Sequence, residues 1–297
     1  MAHQSVLLQE IIASLCLHTG GTYLDGTFGA GGHSRHIARK IGREGRLIAL
    51  DQDKTVFGED IVSELSTLTQ FTPVVENFRN VKQVLEKLHV HEIDGAILDL
   101  GLSSTQLDAS GRGFSFQRDE PLQMTFMHDP DTITVTASDI ANDWSEESIV
   151  TILQGFGEER FARRIARGIV EARKTKSIDS TGQLVEIIRQ HTPGWYHHGR
   201  THFATRTFQA FRMAVNDELG AIESGLDAIC VSLAQEGRMA VISFHSIEDR
   251  LVKQLFRRYS EKELVKMVTK RPVSPSEDEL KDNPRSRSAK LRVIEKL

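Results

Sequence analysis

The sequence has few cysteines and no long apolar run, and each shortage excludes a class of protein. Only Cys16 and Cys230 occur among the 297 residues, each in an apolar helical setting, so neither a disulfide framework nor a zinc site is expected. The longest apolar runs are strand-sized, and the first residues lack the basic-then-apolar pattern of a signal peptide. We therefore expect a globular protein of the reducing cytoplasm that does not enter a membrane.

Basic charge is also scarce, because 37 Lys and Arg stand against 41 Asp and Glu and the net charge is -4. This balance argues against a protein that binds nucleic acid mainly through bulk charge. The distribution is uneven, since residues 245–297 carry 14 Lys and Arg against 9 Asp and Glu. An RNA partner would have to be met by local basic patches.

The stretch from Leu24 to Lys40 predicts a short buried strand, a glycine turn and a helix that begins near Ser34. Glycine at positions 29, 31 and 32 allows positive φ and lets a ligand approach main-chain N–H groups. The spacing differs from the G-x-G-x-x-G of dinucleotide-binding folds, which argues against a pyrophosphate ligand.

The second predicted strand, Arg46 to Asp51, ends in a carboxylate that is placed to accept hydrogen bonds from a ribose diol. A nucleoside without a pyrophosphate fits this arrangement better than a dinucleotide, and S-adenosylmethionine is the obvious one. From spacing alone, ordinary turn glycines and a helix-capping Asp51 remain the alternative.

Four side chains fall at or just after the ends of predicted strands: Asp25, Asp51, Phe78 and Asp99. The strand that ends at Asp99 is nearly all apolar, as expected for a central parallel strand. Ligands of open α/β sheets bind at the carboxyl ends of strands beside the switch in strand order, so we expect one site here. A lone Phe78 is more often a core residue, and that alternative stays open.

Residues 105–199 predict helices without intervening strands, which interrupts the alternating β/α order. We therefore expect a discontinuous α/β domain, 1–104 and 200–297, with an inserted all-helical domain at 105–199. A helix predicted over Glu158 to Arg173 places Arg163, Arg164 and Arg167, together with Arg160, on one surface. Such a face would suit RNA phosphates, although a basic helix face is often merely solvated.

Distinctive motifs occur along nearly the whole chain, beginning with the glycine turn itself. They are Asp25-Gly-Thr-Phe-Gly-Ala-Gly-Gly-His33-Ser34, Asp99-Leu-Gly-Leu-Ser-Ser104, Arg112-Gly-Phe-Ser-Phe116, Gly157-Glu-Glu-Arg-Phe161, Ala204-Thr-Arg-Thr-Phe-Gln209, Asn216-Asp-Glu-Leu219, Ile242-Ser-Phe-His-Ser246 and Asn283-Pro-Arg-Ser-Arg-Ser288. In content and order, these motifs closely resemble those of the bacterial 16S rRNA (cytosine-N4)-methyltransferase family.

The resemblance implies a Rossmann-like class I methyltransferase sheet and a cytidine in the decoding region of 16S rRNA as substrate, within the small ribosomal subunit. The chain could act as a homodimer. Two other functions stay open: a methyltransferase with a DNA or protein acceptor, and a non-catalytic ribosome-assembly factor that keeps the pocket for stability. The residues implied to bind S-adenosyl-L-methionine are Gly31, Gly32, His33, Asp51, Phe78, Asp99 and Gln106.

N4 methylation requires acceptors that hold an exocyclic amine in line with the methyl group. Amino-methyltransferases commonly use an Asn/Asp/Ser-Pro-Pro-aromatic loop, and here Asp99-Leu-Gly-Leu occupies that place. We take Asp99 and the Leu100 carbonyl as candidate acceptors, Phe114 or Phe116 as the stacking group, and no metal. His245, just past the fifth strand, either faces the base or is structural.

The sequence departs from the family at one segment of the insert. Where the family commonly shows Pro-Leu-Asp-Met-Arg-Met-Asp, this chain has Pro121-Leu-Gln-Met-Thr-Phe-Met127, and so loses two acids and an arginine together. The departure bears on the local contacts of the insert, whereas the expected cofactor positions are intact.

Overall fold

A computed structural model of the chain describes residues 5–102, 110–127, 134–199 and 201–297. The chain divides into two compact units, with Met1–Gly101 and Leu219–Leu297 in unit 1 and Leu102–Glu218 in unit 2. No helix in these described ranges is long and apolar enough to cross a membrane.

Unit 1 contains seven strands and seven of the α-helices found in the described part of the chain. Its strands are β1 (Thr22–Asp25), β2 (Arg46–Asp51), β3 (Gln70–Val75), β4 (Ile93–Asp99), β5 (Leu233–Ser243), β6 (Val265–Met267) and β7 (Lys290–Lys296). Its helices are α1 (Leu8–Ser14), α2 (Gly32–Ile41), α3 (Glu59–Leu68), α4 (Val81–Lys87), α10 (Glu218–Ser232, whose first residue belongs to unit 2), α11 (Ser246–Glu261) and α12 (Glu277–Asp282).

The strands form one sheet in the order β3-β2-β1-β4-β5-β7-β6. Strands β1 to β5 pair in parallel, and β7 runs antiparallel to both β5 and β6. The strand order reverses between β1 and β4, so this pair marks the topological switch point where such sheets bind ligands. The predicted Rossmann-like α/β sheet is confirmed.

Both faces of the sheet are buried, and alternate residues of each strand supply the two cores. In β2, Leu47 and Ala49 pack with helices α1, α2 and α3, whereas Ile48 and Leu50 pack with α4, α10 and α11. This arrangement fixes the register of the central strands, because a slip of one residue would exchange the faces. The carboxyl ends of β1, β2 and β4 therefore lie at a defined edge.

Unit 2 is helical, with a separate core. Its helices are α5 (Ala137–Asp143), α6 (Glu146–Gly155), α7 (Ala162–Arg173), α8 (Thr181–His191) and α9 (Thr205–Asn216). The predicted insert ends at 199, whereas unit 2 extends to Glu218. The reason is that α9 contributes Phe208 and Phe211 to the unit 2 core. Helical periodicity alone could not show which unit α9 joins.

Three local predictions from the sequence were wrong in detail. Helical apolar spacing predicts one long helix from Thr205 to Ala234 with a break near Gly220 or Gly225, but the chain breaks at Asp217, which adopts a left-handed conformation. Asp53 is predicted to cap the helix that runs toward Leu65, but it caps a short 3-10 turn at Lys54–Val56, and α3 follows Gly58. The polar, Pro-containing segment from Pro272 to Ser288 predicts a loop, but it contains α12 and a 3-10 turn.

Candidate active site

Asp25 closes β1 as a fully buried carboxylate that is held by the glycine turn. Its oxygens accept hydrogen bonds from the Ser34 hydroxyl (2.7 Å) and the Thr27 N–H (3.1 Å). Burial raises the pKa of Asp25, while the Ser34 hydrogen bond, His33 and the Thr27 N–H act in the opposite direction. Asp25 thus ties β1 to the start of α2 and fixes the turn between them.

Asp51 closes β2 and reaches back to the same turn. One carboxylate oxygen accepts from the Gly29 N–H and the other from the Asp53 N–H, both at 2.9 Å. Burial raises the pKa of Asp51 to about 6, and these two hydrogen bonds limit the rise. Each oxygen keeps a lone pair for a further donor, so the group can accept hydrogen bonds from a diol.

His33 and Asp99 form a close pair across the switch point. The Nε2 atom of the buried His33 lies 3.6 Å from Oδ2 of Asp99. Within the described residues, both ring nitrogens of His33 and Oδ1 of Asp99 are buried without a hydrogen-bond partner. Buried polar groups are rarely left this way, since each costs roughly 1–3 kcal/mol, and the pair therefore indicates a ligand-binding site.

Thr27 positions Asp99, and sequence reasoning missed this role of Thr27. The Thr27 hydroxyl accepts a hydrogen bond of 2.6 Å from the Asp99 N–H, across 72 residues of sequence. The segment after β4 is fixed from the other side, because the Leu100 N–H donates to the Ile242 carbonyl. The glycine-turn motif contains Thr27, but nothing in its spacing indicates a contact with β4.

Two glycines of the turn are required by the packing around them. Gly31 has a positive φ, and a Cβ there would meet Ile61 and Phe28; a Cβ on Gly32 would collide with the Ser5 hydroxyl. Packing thus requires both, beside any role in ligand approach. No described side chain caps the start of α2, which leaves first-turn N–H groups for an anionic group of a ligand.

Phe78 begins a 3-10 turn after β3 and packs partly against the core of unit 1. A Cβ on Gly225 would meet its ring, and one on Gly26 would meet its Cβ. The absence of a Cβ at these two glycines thus makes room for Phe78. Its side chain packs partly against the core and stays partly exposed, so both a core role and a ligand contact are compatible with its position. Gln106 lies outside the described residues.

His245 has a structural role at the start of α11. Its Nδ1 accepts from the Glu248 N–H (3.3 Å), and Glu248 in turn accepts from the Phe244 N–H (2.8 Å) and the His245 N–H. The sequence predicts a capping box between Ser246 and Asp249, but the structure forms it between His245 and Glu248. Asp249 instead binds Arg292 and Lys290, which hold its pKa below the usual range against the effect of burial.

The MraW methylase family matches residues 1–297 of the chain. The chain belongs to this family. Three curated relatives carry the name ribosomal RNA small subunit methyltransferase H. They come from Brevibacillus brevis (44% identity, 99% of this chain and 98% of the relative), Symbiobacterium thermophilum (44%, 99% and 96%) and Magnetococcus marinus (43%, 99% and 98%).

The described site fits the methyl donor of the MraW methylases, S-adenosylmethionine, at three places. Asp51 has lone pairs free for a ribose diol, the start of α2 offers N–H groups for a carboxylate, and the His33–Asp99 pair has unused polar atoms. These groups lie at or just beyond the carboxyl ends of β1, β2 and β4. Sequence reasoning selected Asp51, His33 and Asp99, and the structure adds the approach of His33 to within 3.6 Å of Asp99.

In unit 2 of this MraW family member, Arg163, Arg164 and Arg167 are exposed on α7, and they form no ion pair within the described residues. Arg160 does not share this helix face, because α7 begins only at Ala162; its guanidinium lies over Trp195 instead. We refer to Arg163, Arg164 and Arg167 as the basic face of α7.

The two aromatic residues considered for base stacking pack within unit 2. Phe114 is buried in the core and stacks on Phe126 at 5.6 Å between ring centroids. Phe116 stacks on His202 at 4.3 Å. The departing segment after Pro121 also joins this core, since Met124 is fully buried and its carbonyl accepts from Asn216. Of the residues that differ from the family pattern, Thr125 is buried and Phe126 packs against this core, whereas Met127 is exposed.

Proposed function

We propose that the protein is an S-adenosylmethionine-dependent methyltransferase that methylates the N4 amino group of a cytidine in the decoding region of 16S rRNA. The observation that carries the proposal is the pair of the buried His33 and the half-buried Asp99, with unused buried polar atoms, at the switch point of an MraW family sheet. The names of the curated relatives support small-subunit rRNA as the acceptor. The cytoplasm is then the place of action.

Each side chain of the site has a distinct task in this reaction. S-adenosylmethionine supplies an electrophilic methyl group that needs no further activation. Asp51 would accept hydrogen bonds from the ribose hydroxyls, Phe78 and the glycine turn would shape the cofactor site, and His33 lies beside Asp99. Asp99 and the Leu100 carbonyl accept hydrogen bonds from the amine as its nitrogen pyramidalises, so that catalysis consists chiefly of positioning and electrostatic stabilisation.

The acceptor is tested by offering the protein labelled S-adenosylmethionine with small ribosomal subunits that lack the modification, and separately with DNA and with ribosomal proteins. We expect label only in the RNA of small subunits. Label in DNA or protein would identify a different acceptor. Absence of label from every substrate, with cofactor binding intact, would favour a non-catalytic assembly factor.

Unit 2 supplies substrate recognition in this proposal, through the basic face of α7. We expect the triple replacement Arg163→Glu, Arg164→Glu and Arg167→Glu to weaken RNA binding and to flatten its salt dependence, because each lost phosphate contact removes about one unit of slope. Binding isotherms at several salt concentrations measure both effects, and cofactor affinity should not change.

A matched control reverses the charge of three exposed residues of unit 1, Lys40, Arg43 and Lys87. They lie toward the amino ends of the strands, away from the carboxyl ends that form the candidate site. The control changes the net charge equally but should leave the salt slope close to that of the wild type. If the α7 variant retains wild-type RNA binding and methylation, the basic face is only solvated.

A further inference from the structure

Beside the basic face of α7, unit 2 holds an exposed tryptophan on a rigid support. Trp195 lies in the 3-10 turn Gly194–His198 and is 60% exposed, the largest exposed fraction of any Phe, Trp or Tyr side chain in the described residues. Its ring contacts Phe161 and Tyr196 edge to face, at centroid distances of 5.8 and 6.0 Å. We refer to Arg160, Phe161, Trp195 and Tyr196 as the Trp195 platform.

Buried polar contacts fix this platform in place. The Tyr196 hydroxyl donates a hydrogen bond of 2.7 Å to Glu159, which is itself buried. In the same turn, the His197 ring and the Thr192 hydroxyl are hydrogen-bonded at 2.9 Å. An exposed tryptophan on a loop anchored in this way loses little conformational entropy when a ring stacks on it, and such preorganisation favours binding.

The charge around the platform is positive. The Arg160 guanidinium lies 5.5 Å from the Trp195 ring centroid, and that of Arg164 lies 5.9 Å from the Phe161 centroid. The platform is thus continuous with the basic face of α7. Of the two acids just before Arg160, Glu159 is buried against Tyr196, and Glu158 is the exposed one.

We infer that the Trp195 platform binds an unpaired nucleotide of the RNA substrate, with its base stacked on the indole ring and its phosphates near Arg160 and the basic face of α7. This inference rests on the proposed function and extends it from an RNA to a single-stranded segment of that RNA. An aromatic face among arginines is the combination that single-stranded nucleic acids require, since bases stack on the ring and guanidinium groups bind the backbone. A duplex hides its base faces, so the platform discriminates against it.

The test compares Trp195→Ala with the wild type on three probes: a short single-stranded RNA, the same RNA annealed to its complement, and inorganic polyphosphate. Base stacking is worth about 1–3 kcal/mol, so we expect single-stranded RNA to bind roughly 5- to 150-fold more weakly to the variant. Polyphosphate binding and the salt slope should not change, because no phosphate contact is lost. Trp195→Phe should restore most of the affinity.

A spectroscopic readout separates stacking from a structural role. The chain has only two tryptophans, so Trp144→Phe leaves Trp195 as the single indole reporter. Single-stranded RNA should quench its fluorescence and shield it from acrylamide, and polyphosphate should do neither.

Two outcomes would overturn the inference while leaving the proposed function intact. One is a wild-type protein that methylates small subunits while Trp195→Ala binds single-stranded RNA with unchanged affinity. The other is equal weakening toward all three probes, which would mean that Trp195 only positions Arg160. Loss of the proposed function itself would appear differently, as absence of methyl transfer by the wild type.

Discussion

Replacement of Asp51 by Ala should weaken S-adenosylmethionine binding by about a hundredfold or more. The carboxylate would hold both ribose hydroxyls, and each hydrogen bond to a charged acceptor contributes roughly 1.5–3 kcal/mol. Calorimetric titration measures the change directly. Asp60→Ala, an exposed carboxylate on α3, is the matched control and should bind as the wild type does. A change of less than fivefold in Asp51→Ala would remove Asp51 from the cofactor site.

The pH dependence of binding gives the same assignment a second readout. Burial raises the pKa of free Asp51 to about 6. Because the ribose diol favours the ionised acceptor, cofactor affinity should level off above about pH 7 and fall by up to about tenfold per pH unit below about pH 6. The sign follows from the raised pKa, since protonation in the free protein competes with binding. Asp51→Asn should lose this component of the pH profile.

The second large effect is expected at Asp99. Asp99→Asn keeps the size of the side chain but removes the charged acceptor for the amine, so turnover at saturating cofactor should fall by roughly 10²–10³-fold. Cofactor affinity should also decrease, because the same carboxylate is assigned to both tasks. Single-turnover methyl transfer to small subunits, at cofactor concentrations far above the dissociation constant, separates the two contributions.

His33→Ala and Asp60→Asn are the variants with which the turnover of Asp99→Asn is compared. His33→Ala removes the neighbour of Asp99 and should reduce turnover less than Asp99→Asn does, since it leaves the acceptor in place. Asp60→Asn should leave turnover unchanged. Full activity in Asp99→Asn would show that the carboxylate is not the amine acceptor.

The central sheet could be predicted from sequence because its signals are local. An apolar run followed by an acid predicted strands that end at Asp25, Asp51 and Asp99, and the structure ends β1, β2 and β4 at these residues. Convergence on one edge then follows from the parallel order. By contrast, the hydrogen bond between Thr27 and Asp99 joins residues 72 apart, and no pattern of spacing indicates it.

The predictions that were wrong concern where a helix begins or breaks and which core it joins, for which the sequence allows several nearly equivalent answers. Ser246 and His245 can each precede a helix, and His245 caps α11 because Glu248, three residues on, closes the capping box. The break at Asp217 required a non-glycine residue with positive φ, which costs energy and is not expected from propensity. The assignment of α9 to unit 2 depends on tertiary packing of Phe208 and Phe211.

The identity of the methylated nucleoside tests the central claim most directly. Labelled S-adenosylmethionine and unmodified small subunits are incubated with the protein, the RNA is digested, and the product is identified by mass spectrometry. We expect N4-methylcytidine, because a carboxylate and a backbone carbonyl after β4 suit an amine donor. Methylation at carbon-5 would normally need a cysteine nucleophile. Cys16 follows α1 and precedes β1, and Cys230 lies in α10 just before β5, so both lie toward the opposite edge of the sheet from Asp99. A 5-methylcytidine product would contradict the account.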